Sequence, residues 1–194
     1  VLDRLSGYAT DAGLEPVALA GLYDLQAQLG RLIASSLLEG IGGLLVLFVA
    51  VAFIVSRSTG TALKMWATLI GIPAVVLGTF GYLGIAVDII TSPAANVALG
   101  LGSDAMIHLV VRVRRLTRAG DSDPWTHGVA QIGRAVIGAT GIVAAGFGIF
   151  VLSTFPPTQR FGLAVILGTA AAAVLALVVL PGLHPRRADT SVAV

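Results

Sequence analysis

Asp104 stands where an acid is least expected. It lies near the middle of an apolar stretch running from about Ala94 to Val111 and is the one acidic residue in it. An acid at the centre of a membrane helix costs about 2.5–3.5 kcal/mol on insertion scales. Acids that persist at such depth face a bundle interior and mark ion or proton pathways. An apolar site disfavours the ionised carboxyl. Such a group can load a proton from one side and release it to the other. The structural alternative is a protonated Asp that hydrogen-bonds across helices as glue. His108 follows four residues on, so it shares a helix face with Asp104. It extends a proton path towards the basic loop that follows; the simpler role is a His reaching the headgroups one turn from Arg112. Ser103 and Thr140 carry hydroxyls within the apolar stretches and are candidate partners for the carboxyl, although hydroxyls in membrane helices more often bond their own backbone. Asp104, His108 and Thr140 are therefore the candidate proton relay.

Other chemistry is missing from the sequence. Without cysteine there is no disulfide, thiolate metal site or thiol nucleophile. No phosphate loop, Gly-x-Ser-x-Gly elbow or His-Glu-x-x-His occurs. His108, His127 and His184 are too scattered in sequence for a metal site. No enzyme and no cofactor are expected. Asp88 reads as a loop acid or helix cap, and Trp125 as an interface anchor.

The elements that must position Asp104 follow from composition. Of 194 residues, 56% are hydrophobic and 11% charged, against roughly 25% charged in a soluble domain. The mean hydropathy is +0.94. These values exclude a soluble globular enzyme and a disordered tail. The slight positive charge, +2, belongs to loops of a membrane protein and not to a nucleic-acid surface. A membrane-crossing helix needs about 20 mostly apolar residues. Five stretches qualify, at about 37–55, 65–87, 94–111, 135–155 and 161–183. Their unbroken apolar runs lack the alternation of a barrel strand. The fold class is thus an all-α polytopic membrane protein, with a five-helix domain over 35–184 and a cytoplasmic tail over 185–194.

Charge sets the orientation. Arg57, Lys64, Arg112, Arg114, Arg115, Arg118, Arg134, Arg186 and Arg187 fall on one side; Arg4, Arg31 and Arg160 fall on the other. The positive-inside rule places the first group in the cytoplasm. The N-terminal segment is then extracytoplasmic, in a cell or inner membrane. Residues 1–34 are mixed polar and apolar and lack a signal-peptide pattern. Pro16–Ala20 reads as a short strand, and Tyr23–Ser36 has helical periodicity. Together they look like a strand-helix remnant ending an extracytoplasmic domain. Val1 implies a piece of a longer protein or an alternative start, and His184-Pro185-Arg186-Arg187 looks like a C-terminus. Pro73 predicts a kink in the second span, Ser92-Pro93 a helix start, and Pro156-Pro157 a tight hairpin. Gly100, Gly102, Gly138, Gly141, Ala145, Gly148 and Ala170–Ala173 are small enough to mark helix–helix interfaces.

A set of residues completes the pattern. Ile89-Ile90-Thr91-Ser92-Pro93-Ala94-Ala95-Asn96 leads into Gly100-Leu101-Gly102-Ser103-Asp104-Ala105-Met106-Ile107-His108. Then come Gly133-Arg134-Ala135, Gly146-Phe147, Phe155-Pro156-Pro157, Arg160-Phe161-Gly162 and Leu180-Pro181. In order and spacing this resembles the resistance-nodulation-division (RND) superfamily, in particular MMPL-type exporters, over about residues 15–184. The resemblance implies the last five helices of a twelve-helix protein. It also implies proton-driven export of lipids or other hydrophobic or amphiphilic molecules, with Asp104 at the family's relay acid. The N-terminal half of the transporter is then a required partner, besides protons, membrane lipids and the substrate. Relatives often have an aromatic after the acid and Val before it; here these are Ala105 and Ser103. The alternatives are a lipid-binding or regulatory module like the sterol-sensing domain, which shares this bundle, and a non-functional fragment.

Overall fold

The computed structural model describes residues 2–13, 22–89 and 92–184. Every regular element among the described residues is a helix, with no strand among them. The elements are α1 (Leu2–Asp11), α2 (Leu22–Ser56), α3 (Thr59–Tyr82), α4 (Ser92–Arg118), α5 (Pro124–Val151) and α6 (Pro156–Val174). A π-helical turn, Leu175–Val179, and the short α7 (Leu180–Gly182) continue α6. Among the described residues, five helical segments are long and apolar enough to cross a membrane: Leu25–Ser56, Thr59–Tyr82, Ser92–Arg118, Pro124–Val151 and Pro156–Gly182. Helices suit such runs because every backbone N–H and C=O finds a partner within the segment.

The chain divides into two compact units at the Ser36–Leu37 boundary. In the first, α1 is a helix that the sequence pattern did not predict, and the periodic stretch from Tyr23 becomes the first part of α2. The expected strand at Pro16–Ala20 and the expected tail over 185–194 lie outside the described residues.

In the second unit, packing fixes the helix directions. Gly40 of α2 lies against Asn96, near the start of α4. Arg114, near the end of α4, donates to the Val55 carbonyl at the end of α2. The two helices therefore run the same way. Along α6, Gly168 faces Ala98 and Ala172 lies beside Gly102, so α6 is parallel to α4 as well. Against α3 the order reverses: Gly71 meets Leu175, and Val76 meets Gly168. With α2, α4 and α6 aligned, the connections after α2 and α4 share one end of the bundle with the end of α7. Arg57, Arg112, Arg114, Arg115 and Arg118 gather there. The other end holds Asp88 and Arg160, whose Oδ2 and Nη1 are 3.7 Å apart. That ion pair ties the α3–α4 connection to the start of α6. Asp88, expected as a solvated acid or cap, is partly buried in it.

The core lies between α3, α4 and α6. Ile72, Leu99, Met106, Leu109 and Val165 are fully buried. Three glycines let backbones meet there. A Cβ on Gly168 would stand 2.4 Å from the Ala98 Cβ, and one on Gly102 2.3 Å from the Ile72 Cδ1. On Gly162 it would stand 2.7 Å from the Phe147 carbonyl oxygen, which seats α6 against α5. Only part of the expected small-residue set works this way. Gly102 and Ala172 are at interfaces, whereas Gly100, Gly138, Gly141 and Gly148 have no neighbouring heavy atom within 4 Å of an added Cβ. Spacing identified small positions but not the direction in which they face.

Helix ends differ from the expected spans for local reasons. α3 continues through Pro73 but stops at Tyr82, short of the expected 87. Gly84 adopts φ +65°, and the Ile85 N–H closes back on the Phe80 carbonyl at 2.9 Å. This is a Schellman-type stop, which needs a left-handed residue. Gly120, at φ +79°, ends α4 in the same way, with the Asp121 N–H on the Leu116 carbonyl. α5 starts at Pro124, well before the expected 135. Asp123 caps it by accepting from the Thr126 N–H at 3.3 Å, and Pro124 follows at the first helical position. The four-residue link after Val151 and the start at Pro156 form the hairpin that Pro156-Pro157 predicted.

Candidate functional site

Helix α4 is 27 residues long. Asp104 is twelve residues from Ser92 and fourteen from Arg118, the middle of the span. At about 1.5 Å per residue it lies roughly 18 Å from the first end and roughly 21 Å from the other. One side of α4 is sunk in the core through Ala98, Leu99, Gly102, Met106, Leu109 and Val113. Asp104 is on the other side. Its side chain is 71% exposed and that of His108 is 70% exposed. Within this five-helix unit the acid does not enter the core. It faces a groove of about 520 Å³ walled by α4, α5 and α6.

The groove brings the three predicted relay residues together. Asp104, His108 and Thr140 all line it, Thr140 from α5. His108 Nε2 is 3.4 Å from Asp104 Oδ1, an ion pair whenever the imidazole is protonated. Ser103 does not join them. It turns into the core at 5% exposure and donates to the Gly100 carbonyl at 2.8 Å. Consecutive helical residues diverge by about 100°, so Ser103 and Asp104 cannot share a face.

Four polar residues of the groove were not singled out from the sequence: Arg112, Arg115, Gln131 and Thr169. Arg112 and Arg115 had been placed as loop charges, but α4 carries both as helical residues in its last turns. Arg112 is one turn past His108 and donates through Nε to Gln131 Oε1, linking α4 to α5. The i, i+4 spacing of 104, 108 and 112 was the available signal. Thr169 is buried and donates to the Ile166 carbonyl at 3.1 Å. The remaining walls are apolar and largely small. Ala105, Ala135, Ala139, Ala172 and Ala173 leave the space open where larger side chains would fill it.

Beyond the basic end of the groove, two local pairs organise the connections. His127 Nδ1 is 2.8 Å from Asp121 Oδ1. The His127 hydrogen bond, aided by the Asp123 N–H, holds the Asp121 carboxyl below its usual range. Trp125, expected as an interface anchor, stacks on His184, with ring centroids 3.8 Å apart. Burial holds His184 below the ordinary imidazole range; Lys64 nearby adds to this, and the Nδ1 bond to the Leu180 carbonyl opposes it.

No protein-family model matches the chain. A Methanocaldococcus jannaschii protein named "Putative membrane protein MJ1562" is 34% identical over 109 residues. The alignment covers 55% of this chain but 28% of that protein, so the chain spans well under half of its relative. With five apolar helices of crossing length, this similarity defines the class: a polytopic membrane protein.

Proposed function

We propose that the chain is the membrane part of a proton-motive-force-driven exporter of lipids or other hydrophobic or amphiphilic molecules, of the RND superfamily and MMPL type, with Asp104 as its proton carrier. One observation carries this reading. Asp104 and His108 lie together at mid-span, on the side of α4 turned away from its own core. A carboxyl there is costly against lipid. In this reading the transporter's N-terminal half covers it and closes the proton path. Thr140 lines that path from α5. The basic end of the bundle is cytoplasmic by the positive-inside rule, so His108 leads from Asp104 towards the cytoplasm. One proton crossing 100 mV releases about 2.3 kcal/mol, so one or two drive a transport cycle.

The test is Asp104→Asn in the natural protein, with membrane abundance checked by immunoblot. Export falls to background while abundance stays unchanged; full-rate export by the variant contradicts the assignment. The intact mass of the natural protein, extracted from membranes, tests the partner half. A species several times 19.7 kDa supports it. The apolar walls of the groove favour one second reading, a lipid-binding module like the sterol-sensing domain. Lipid binding indifferent to both pH and Asp104→Asn selects it.

A further inference from the structure

We infer that the basic end of the α4–α5–α6 groove binds an anionic phospholipid, with its phosphate on Arg112 and Arg115 and an acyl chain between the helices. The inference rests on the bundle crossing a membrane and does not depend on Asp104 carrying a proton.

The groove has the form of an amphiphile site. Its volume, about 520 Å³, falls within the roughly 300–1,000 Å³ of small-molecule sites. Its walls are apolar, from Leu101, Ile132, Val136 and Val143 with the alanines between them. Its polar groups are not scattered. Arg112, Arg115 and Gln131 cluster at one end, about 12–16 Å along α4 from Asp104 at 1.5 Å per residue. That puts the guanidinium groups near the end of the span, at headgroup depth, and the apolar walls at acyl depth.

Charge complementarity selects the ligand. Among the described residues no carboxylate pairs with Arg112 or Arg115. The nearest acids along the chain are engaged elsewhere: Asp104 with His108, Asp121 with His127, and Asp123 with the Thr126 N–H. Arg112 spends its Nε–H on the neutral Gln131 amide oxygen, which aims the guanidinium without neutralising it. A guanidinium presents a planar fork of donors that fits phosphate oxygens. Basic pockets between membrane helices at the cytoplasmic side take phospholipid headgroups by this chemistry.

The experiment is native mass spectrometry of the natural protein in detergent, titrated with phosphatidylglycerol, phosphatidylcholine or inorganic phosphate. Each arginine near the surface favours an anionic lipid by roughly fivefold, so phosphatidylglycerol binds roughly 25-fold more tightly than phosphatidylcholine with both in place. Arg112→Gln with Arg115→Gln abolishes that preference. Ala139→Leu, which narrows the apolar part, weakens both lipids. Thermal stability in the same detergent verifies folding. If the double variant unfolds, Arg115→Gln alone, at an exposed position, lowers the preference about fivefold. Three results overturn the inference: equal binding of the two lipids by the unaltered protein, a preference that survives the arginine substitutions, or phosphate binding as tightly as phosphatidylglycerol. Loss of export in Asp104→Asn with the lipid preference intact separates this site from the proton reading, and the reverse pattern in the double arginine variant does the same.

Discussion

The two sides of α4 have the same backbone and opposite tasks. The core side is apolar and closely packed, with Leu99 and Met106 fully buried and Gly102 pressed by Ile72 and Ala172. The groove side carries Asp104, His108, Arg112 and Arg115 beside a space of about 520 Å³. A lipid solvent supplies no hydrophobic force between helices, so bundle cohesion comes from van der Waals fit. That fit is concentrated on the core side. The groove side is thereby free to hold groups that no stability argument requires. Ionisable residues on one side of the helix and close packing on the other separate the candidate site from cohesion.

The sharpest way to break this comparison is to truncate one residue on each side. Met106→Ala leaves a cavity in the packed side and costs about 2–5 kcal/mol. Leu101→Ala on the groove side, where Leu101 is 38% exposed, changes stability by about 0.5 kcal/mol or less. Thermal unfolding of the two variants in one detergent measures both. Equal losses mean that the groove side also holds the bundle together.

A smaller effect separates the bundle from its basic-end connections. Because His184 is held below its ordinary 6.5, the stacked arrangement is fully stable above pH 6.5. It loses stability as pH falls through the lowered value, when the buried ring must take up a proton. With the second tryptophan of the sequence, Trp66 in α3, replaced by Phe, Trp125 emission is constant from neutral to alkaline pH and shifts to the red on acidification below 6.5. His184→Phe removes the shift. A shift that persists in that variant assigns the pH response to another group.

The smallest effect concerns the α4–α5 connection. The His127 hydrogen bond holds the Asp121 carboxyl below its ordinary 3.8, so the contact contributes fully above that value and is lost as pH falls through the lowered one. Protection of the Asp123 and Thr126 amides, relative to their intrinsic exchange rates at the same pH, falls at strongly acidic pH. In Asp121→Asn that protection is already low at neutral pH. Equal exchange in the two proteins at neutral pH shows that the pair does not order the loop.

Much of this arrangement was legible in the sequence. Five apolar runs gave five helices, because hydrocarbon leaves a spanning backbone few other choices. The cost of an acid at mid-span isolated Asp104, and helical spacing brought His108 to the same side. Thr140 also lines the groove with them. The missing parts have physical causes. Hydropathy follows apolar content, not backbone geometry, so it extended α3 over Ile85 and Val87, past the left-handed Gly84. It also overlooked the polar first turns of α5, which the Asp123 cap and Pro124 start. Arg112 and Arg115 looked like loop charges because a membrane helix can continue past its apolar stretch; the i, i+4 stripe with His108 was the neglected sign. The strand predicted at Pro16–Ala20 falls outside the described residues.

The central claim is that Asp104 moves protons. Its most direct test is proton flux into liposomes containing the natural protein under an imposed pH gradient, compared with the Asp104→Asn protein at equal reconstituted amount. The account predicts a gradient-driven flux in the first and leak-level flux in the second. Equal flux in both proteins contradicts it.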